Sequence, residues 1–153
     1  MSRMKKKSFS DMSASFYVYD PKSLLWPNGG LLKFQYYHLN RGGHYSFGKG
    51  SFKAPFNGIY AFYLHVAQSR TPNVNIEAYI YTRGYLNKHV VATSKSYTWA
   101  DKNRYIRTIY AKAFAIIELK GSMEVWPETR GLTWNTKYNV YSSFSGFVVN
   151  ALA

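Results

Sequence analysis

The sequence predicts an all-β protein, an antiparallel sandwich of the jelly-roll kind, on three observations. Apolar and polar residues alternate at period two, and helical periodicity is nearly absent. Aromatic side chains, which favour strands, are abundant, with 15 Tyr, 10 Phe and 4 Trp in 153 residues. Turn-forming clusters punctuate the chain: "WPNGG" at 26–30, "NRGG" at 40–43, "SRTPN" at 69–73, "KG" at 120–121 and "WPETRG" at 126–131.

Between these turns the expected strands fall, in order, near 13–19, 31–38, 51–53, 58–67, 74–82, 88–97, 104–119, 123–126 and 138–149. Two of them carry the strongest pattern. In "GIYAFYLHV" one face holds Gly58, Tyr60, Phe62, Leu64 and Val66, and the other Ile59, Ala61, Tyr63 and His65. In "RTIYAKAFAIIELK" the odd positions Ile109, Ala111, Ala113, Ala115, Ile117 and Leu119 are all apolar, while the even ones are mixed. A helix would scatter those six side chains around its circumference, so the run is a long strand despite its alanines. Neither a repeat nor a linker composition divides the chain. The expectation is a flexible basic arm over residues 1–8 and one domain over 9–153.

Composition bounds the function. Twenty Lys and Arg against seven Asp and Glu give a net charge of +13. Such a field attracts polyanions, whether nucleic acid, sulfated or sialylated glycans or acidic lipid surfaces, and does not choose among them. With no cysteine, disulfide frameworks, Cys-based zinc sites and Cys nucleophiles are excluded. No apolar run reaches the roughly 20 residues of a membrane-spanning helix. The stretch "MSRMKKKSFSDMSASF" has basic residues but no apolar segment after them, so it is not a secretory signal.

Catalytic patterns are missing. His38, His44, His65 and His89 have no paired-ligand spacing, and no nucleophile elbow or phosphate loop occurs; the Gly-Lys-Gly of "FGKGSF" lacks the loop's spacing. Only Glu124 and Glu128 lie close enough in sequence to suggest a carboxylate pair. The protein is expected not to be an enzyme.

The glycine–aromatic rhythm of "NRGGHYSFGKGSFKAPFNGIYAFYLHV", residues 40–66, resembles the signature of the C1q globular-head domain, a jelly roll shared with the tumour necrosis factor family. The pattern falls on Phe34, Asn40, Gly43 with Tyr45, Gly50 with Phe52, Pro55, and then Gly58, Tyr60 and Phe62. Two further blocks follow in order. "LKGSMEVW" keeps Leu119, Gly121, Val125 and Trp126, and "SSFSGFVV" supplies Ser143, Phe144, Ser145, Gly146 and Phe147. These residues are expected to build the sandwich. Gly58 is assigned to a sharp turn needing positive φ, Pro55 to a strand boundary, and Tyr60, Phe62, Phe144 and Phe147 to buried area worth about 1.5–3 kcal/mol each.

The resemblance implies a head-only member, without a collagen-like stem, that packs as a homotrimer through one sheet of each protomer. It implies secretion, with any signal peptide absent from this chain; an intracellular protein is the other reading. Several such domains bind calcium, but here Ser122 stands where an acid is expected and the seven carboxylates are widely spread. No cofactor or metal is expected.

Binding is the remaining chemistry. "TRGYLNKHVVATSKSYTWADKNRYIR", 82–107, interleaves Arg83, Lys88, Lys95, Lys102, Arg104 and Arg107 with Tyr85, Tyr97, Trp99 and Tyr105. Guanidinium forks match carboxylate, sulfate or phosphate, and aromatic faces stack on sugars or bases. The candidate ligand-binding residues are Arg83, Lys88, Lys95, Trp99, Lys102, Arg104 and Arg107. The leading expectation is a recognition module for anionic glycans, lipopolysaccharide or other polyanions, by resemblance an innate-immune lectin. A structural matrix, adhesive or biomineral-associated protein is the alternative, and nucleic-acid binding ranks last.

Overall fold

The computed structural model describes residues 13–21, 29–68, 75–83, 88–97, 109–130 and 142–152. The arm expected over residues 1–8 lies outside them, as does the "SRTPN" turn. Eleven strands and no helix occur among the described residues: β1 (Ser15–Pro21), β2 (Gly29–Leu31), β3 (Phe34–Arg41), β4 (Tyr45–Ser46), β5 (Ser51–Lys53), β6 (Gly58–Gln68), β7 (Asn75–Arg83), β8 (Lys88–Tyr97), β9 (Ile109–Leu119), β10 (Glu124–Arg130) and β11 (Ser143–Ala151). They form a five-stranded sheet ordered β3-β1-β11-β6-β9 and a six-stranded sheet ordered β4-β5-β10-β7-β8, with β2 on β10. Every pairing is antiparallel.

The core is aromatic at its centre. Phe16, Phe34, Phe52, Tyr60, Phe62 and Phe144 are fully buried, and the Phe16 ring lies 5.1 Å from those of both Phe52 and Phe144. Contacts of this kind add about 0.5–1.5 kcal/mol to the burial of each ring. The odd residues of β9 line the same interior with small side chains, Ala111, Ala113 and Ala115, and end on Leu119. Gly146 shows how tightly the rings are set. Facing Phe16 and Phe62 across its two neighbouring strands, it would carry a Cβ only 2.7 Å and 2.6 Å from their ring carbons.

The hairpin from β3 to β4 is locked by side chain and backbone together. Asn40 accepts the Tyr45 N–H and donates to the Tyr45 carbonyl, both at 3.1 Å. Gly42 and Gly43 turn the chain between them at φ 83° and 69°, a region closed to most side chains.

Four sequence expectations are corrected. Gly58 has no positive φ; it opens β6 because a Cβ would stand 2.9 Å from the Asn150 carbonyl oxygen and 3.1 Å from the Tyr60 ring. Phe147 is not core but 54 % exposed, since inward Phe144 and Gly146 set a parity that sends it outward. Two short strands, β2 and β4, were not expected, and the strand placed at 31–38 begins at Phe34. Finally "WPETR" is strand and not turn. Pro127 faces Ile80 of β7, and its carbonyl accepts the Leu32 N–H at 3.1 Å. Its missing donor therefore points away from β7, at the place where β10 exchanges β5 for β2 as a neighbour, so no ladder bond is lost.

Candidate functional site

Alternation on β7 and β10 brings one set of side chains to the outer face of the six-stranded sheet. Ile76, Ala78, Ile80, Val125 and Thr129 point inward and are buried. Their neighbours Glu77, Tyr79, Tyr81, Arg83, Glu124, Trp126, Glu128 and Arg130 therefore share the other side. Register sets Trp126 opposite Tyr81, and the two rings stack at 6.0 Å and 14°. Tyr79 continues the stack at 5.9 Å from Tyr81. Arginines close both ends: the Arg83 guanidinium lies 5.6 Å from the Trp126 ring and that of Arg130 lies 5.1 Å from Tyr79. Carboxylates fix the polar edges, Glu128 accepting from the Trp126 indole at 2.9 Å and Glu77 from the Tyr79 hydroxyl. The result is an aromatic ladder held rigid by cation–π and hydrogen-bond contacts.

Next to it the charges run in a row across the strands. Register sets Lys53 opposite Glu124 and Glu124 opposite Arg83, so one carboxylate is flanked by two cationic residues. Lys49, on the turn between β4 and β5, reaches the same carboxylate at 3.7 Å.

Of the sequence-predicted ligand residues, Arg83 lies on this face. Lys88 and Lys95 sit on β8 opposite Arg83 and Glu77 in register. Trp99, Lys102, Arg104 and Arg107 lie outside the described residues. Reasoning from the basic stretch alone missed Trp126, Tyr81, Tyr79 and Arg130. The signal was the parity of "EVWPETR" and "NIEAYIYTR", each of which puts acids, aromatics and arginine on one side.

The opposite outer face belongs to the five-stranded sheet and is largely apolar. Phe114 and Ile116 are each 59 % exposed and Val149 is 53 % exposed; Tyr17, Tyr63, Tyr110 and Phe147 stand beside them. His65 lies among these rings, stacked 4.9 Å from Tyr110, with its Nε2 buried and without a hydrogen-bond partner. Burial, and then the Lys112 charge across the strand pair, hold its pKa below the usual 6.5.

The family motif residues are dispersed through this frame. Phe34, Tyr45, Phe52, Tyr60, Phe62 and Phe144 are buried. Gly50, at φ 71°, and Pro55 flank β5. Gly121 donates to the Asn57 side chain at 2.9 Å in the β9–β10 turn. Glu124 and Glu128, read as a possible acid pair, lie four residues apart on one strand, about 13 Å along the backbone. Inverting glycosidases hold their carboxyl groups roughly 6.5–9.5 Å apart, and Glu124 is already engaged with Lys49. Among the described residues no group of three His, Asp or Glu side chains could hold a metal ion.

Two antiparallel sheets with this strand order define a jelly-roll domain of the C1q and tumour necrosis factor type. The chain belongs to the C1q domain family, whose profile matches residues 15–149. Among solved structures it is similar to the globular domain of zebrafish complement 1qA protein, at 13 % identity and a TM-score of 0.69, covering 92 % of this chain and 99 % of that one. It is also similar to murine APRIL, crystallised at pH 5.0, at 12 % identity and a TM-score of 0.66, with 92 % and 99 % covered. At these identities the likeness is one of fold. No protein with a curated description matches the sequence. Domains of this family are in general non-enzymatic modules that commonly form trimers and are typically secreted.

Proposed function

We propose that the protein is a secreted recognition module without catalytic activity, which assembles as a homotrimer and binds glycans or other anionic ligands in the manner of an innate-immune lectin. The observation that carries this reading is the division of labour between the two outer faces. One is largely apolar and, among the described residues, uncovered, which suits a face that meets copies of itself. The other carries an aromatic ladder capped by arginines beside a row of charges, the equipment for stacking on sugar rings while pairing with anionic substituents. Arg83, Lys88 and Lys95, with Trp99, Lys102, Arg104 and Arg107 on the segment that follows β8, supply the anion-binding groups of this reading. Trimerisation multiplies weak single-site contacts into avidity.

The test is glycan-array and lipopolysaccharide binding by the purified protein, alongside its mass in solution by light scattering. A trimer that binds anionic glycans, and loses that binding when Arg83, Arg104 and Arg107 are changed to Glu, supports the proposal. Absence of any ligand above background removes the lectin function.

A further inference from the structure

Two clefts flank the Lys49–Glu124 pair. The larger, about 510 Å³, is bordered by His44, Lys53, Ser46 and Ser122 and floored by Ala54 and Pro55. The smaller, about 270 Å³, is bordered by Leu31, Arg83, Trp126 and Glu128. Lys49, Ser51 and Glu124 line both, so the ion pair forms the sill between two chambers of one groove. The larger chamber alone falls within the roughly 300–1,000 Å³ of typical small-ligand sites.

The chambers differ in chemistry. The larger is lined by two lysines, Lys49 and Lys53, and one carboxylate, Glu124, so a positive charge is left over, and Ser46, Ser51 and Ser122 add hydroxyls that donate or accept. The smaller has the Trp126 ring, with Arg83 over its face.

The groove is also rigid. Gly50, at φ 71°, closes the turn that carries Lys49, and its N–H donates to the Ser46 carbonyl at 2.7 Å. Lys33 ties down the same turn through the Gly48 carbonyl at 2.9 Å. On the opposite wall Ser122 holds φ 80°, a conformation costly for a residue with a Cβ. It is pinned there by its N–H to the Ala54 carbonyl at 2.8 Å.

We propose that this two-chambered groove is a binding site for two adjoining sugars of an acidic glycan. A sulfated residue occupies the Lys49–Lys53–Ser122 chamber, and the neighbouring sugar lies in the smaller chamber, against the Arg83 guanidinium that the Trp126 ring supports. The Lys49–Glu124 pair is long, at 3.7 Å, and the Lys49 side chain is 68 % exposed, so the ammonium can turn from Glu124 to an incoming anion at little cost. Glu124 then accepts from a sugar hydroxyl. This assignment rests on the glycan reading above and gives it an address on the protein.

The experiment compares a sulfated heparin tetrasaccharide with its fully desulfated, N-acetylated counterpart, by calorimetry and by amide chemical-shift mapping. Lys53→Glu, at an exposed position, is expected to weaken the sulfated probe by about tenfold or more and to affect the desulfated counterpart, which keeps only its uronate carboxylates, clearly less. Trp126→Ala is expected to weaken both probes, with thermal unfolding followed to confirm that the variant is folded. Ser122→Gly, which keeps the positive φ and removes only the hydroxyl, is expected to weaken the sulfated probe alone. Sulfated-probe affinity that survives Lys53→Glu, or shifts that fall away from Lys49, Ser51 and Glu124, overturns the groove while leaving a glycan-binding protein. A wild-type protein that binds neither probe nor any arrayed glycan overturns both the groove and the lectin function.

Discussion

On the five-stranded sheet, the aromatic and aliphatic side chains that leave the core stay bare: Phe114 and Ile116 on β9, Phe147 and Val149 on β11. On the six-stranded sheet, the outward aromatics Tyr79, Tyr81 and Trp126 cover one another, and Arg83 and Arg130 cap the row. Both faces come from the same period-two alternation and both are rich in rings. They differ in what lies between the rings. On the five-stranded sheet alanine, isoleucine and valine predominate between them, with Lys112 beside Tyr110; on the other, glutamates and arginines hold the rings at every edge. Aromatic content therefore does not distinguish the two faces, and the density of charge paired with the rings does.

Removing the support common to both faces has the largest expected effect. Phe62→Ala empties the ring cluster and is expected to cost about 3–5 kcal/mol, measured by urea unfolding, with assembly and ligand binding lost together. Retention of full stability would mean that the two sheets do not share this core. Phe114→Ala is the contrasting test. At a 59 % exposed position it is expected to change protomer stability by only about 0.5 kcal/mol, yet Ile116→Glu and Phe114→Glu together should convert the proposed trimer to monomer in sedimentation velocity. Glycan affinity per protomer should persist in that monomer, while avidity on a coated surface falls by about two orders of magnitude.

Acidity bears on both sheets in a subtler way. His65 has a folded-state pKa below its ordinary 6.5. As pH falls through that value the unfolded chain takes up the proton first, so the neutral imidazole's contribution is complete above 6.5 and lost progressively below it. His44 shifts in the same direction by burial. Unfolding at pH 7.5 and pH 5 should show the loss, and His65→Gln should reduce but not abolish it. An unchanged pH dependence in that variant would place the titration elsewhere. The smallest effect expected is that of salt. Raising it from 50 to 200 mM should weaken anionic-ligand binding and leave the apolar association unchanged or slightly strengthened.

Much of this frame is legible in the sequence. Parity along residues 58–67 and 110–119 assigns inward and outward sides of β6 and β9 correctly, because long strands buried on one face alternate cleanly. Short elements are not legible: β2 and β4, of three and two residues, carry too few positions for a period to show. Pro127 misleads because a proline in a strand depends on which neighbour its nitrogen faces, a fact of sheet order and not of local composition. The ladder on the six-stranded sheet is hidden for a similar reason. Trp126 and Tyr81 meet only through the register of β10 on β7, and no window of sequence contains both. The stretch 82–107 is conspicuous for its local density of charge, and Arg83, among its described residues, joins the ladder.

Gly146 has a consequence for how the chain reaches its native pairing. Sliding β11 by one position between β1 and β6 would bring Ser145 or Phe147 to the place between Phe16 and Phe62, where not even a methyl group fits. A mispaired sheet is thereby ejected by its own bulk. The missing side chain works as a keyway, admitting one alignment of the three strands and turning away its neighbours before the barrel-like wall can close around a mistake.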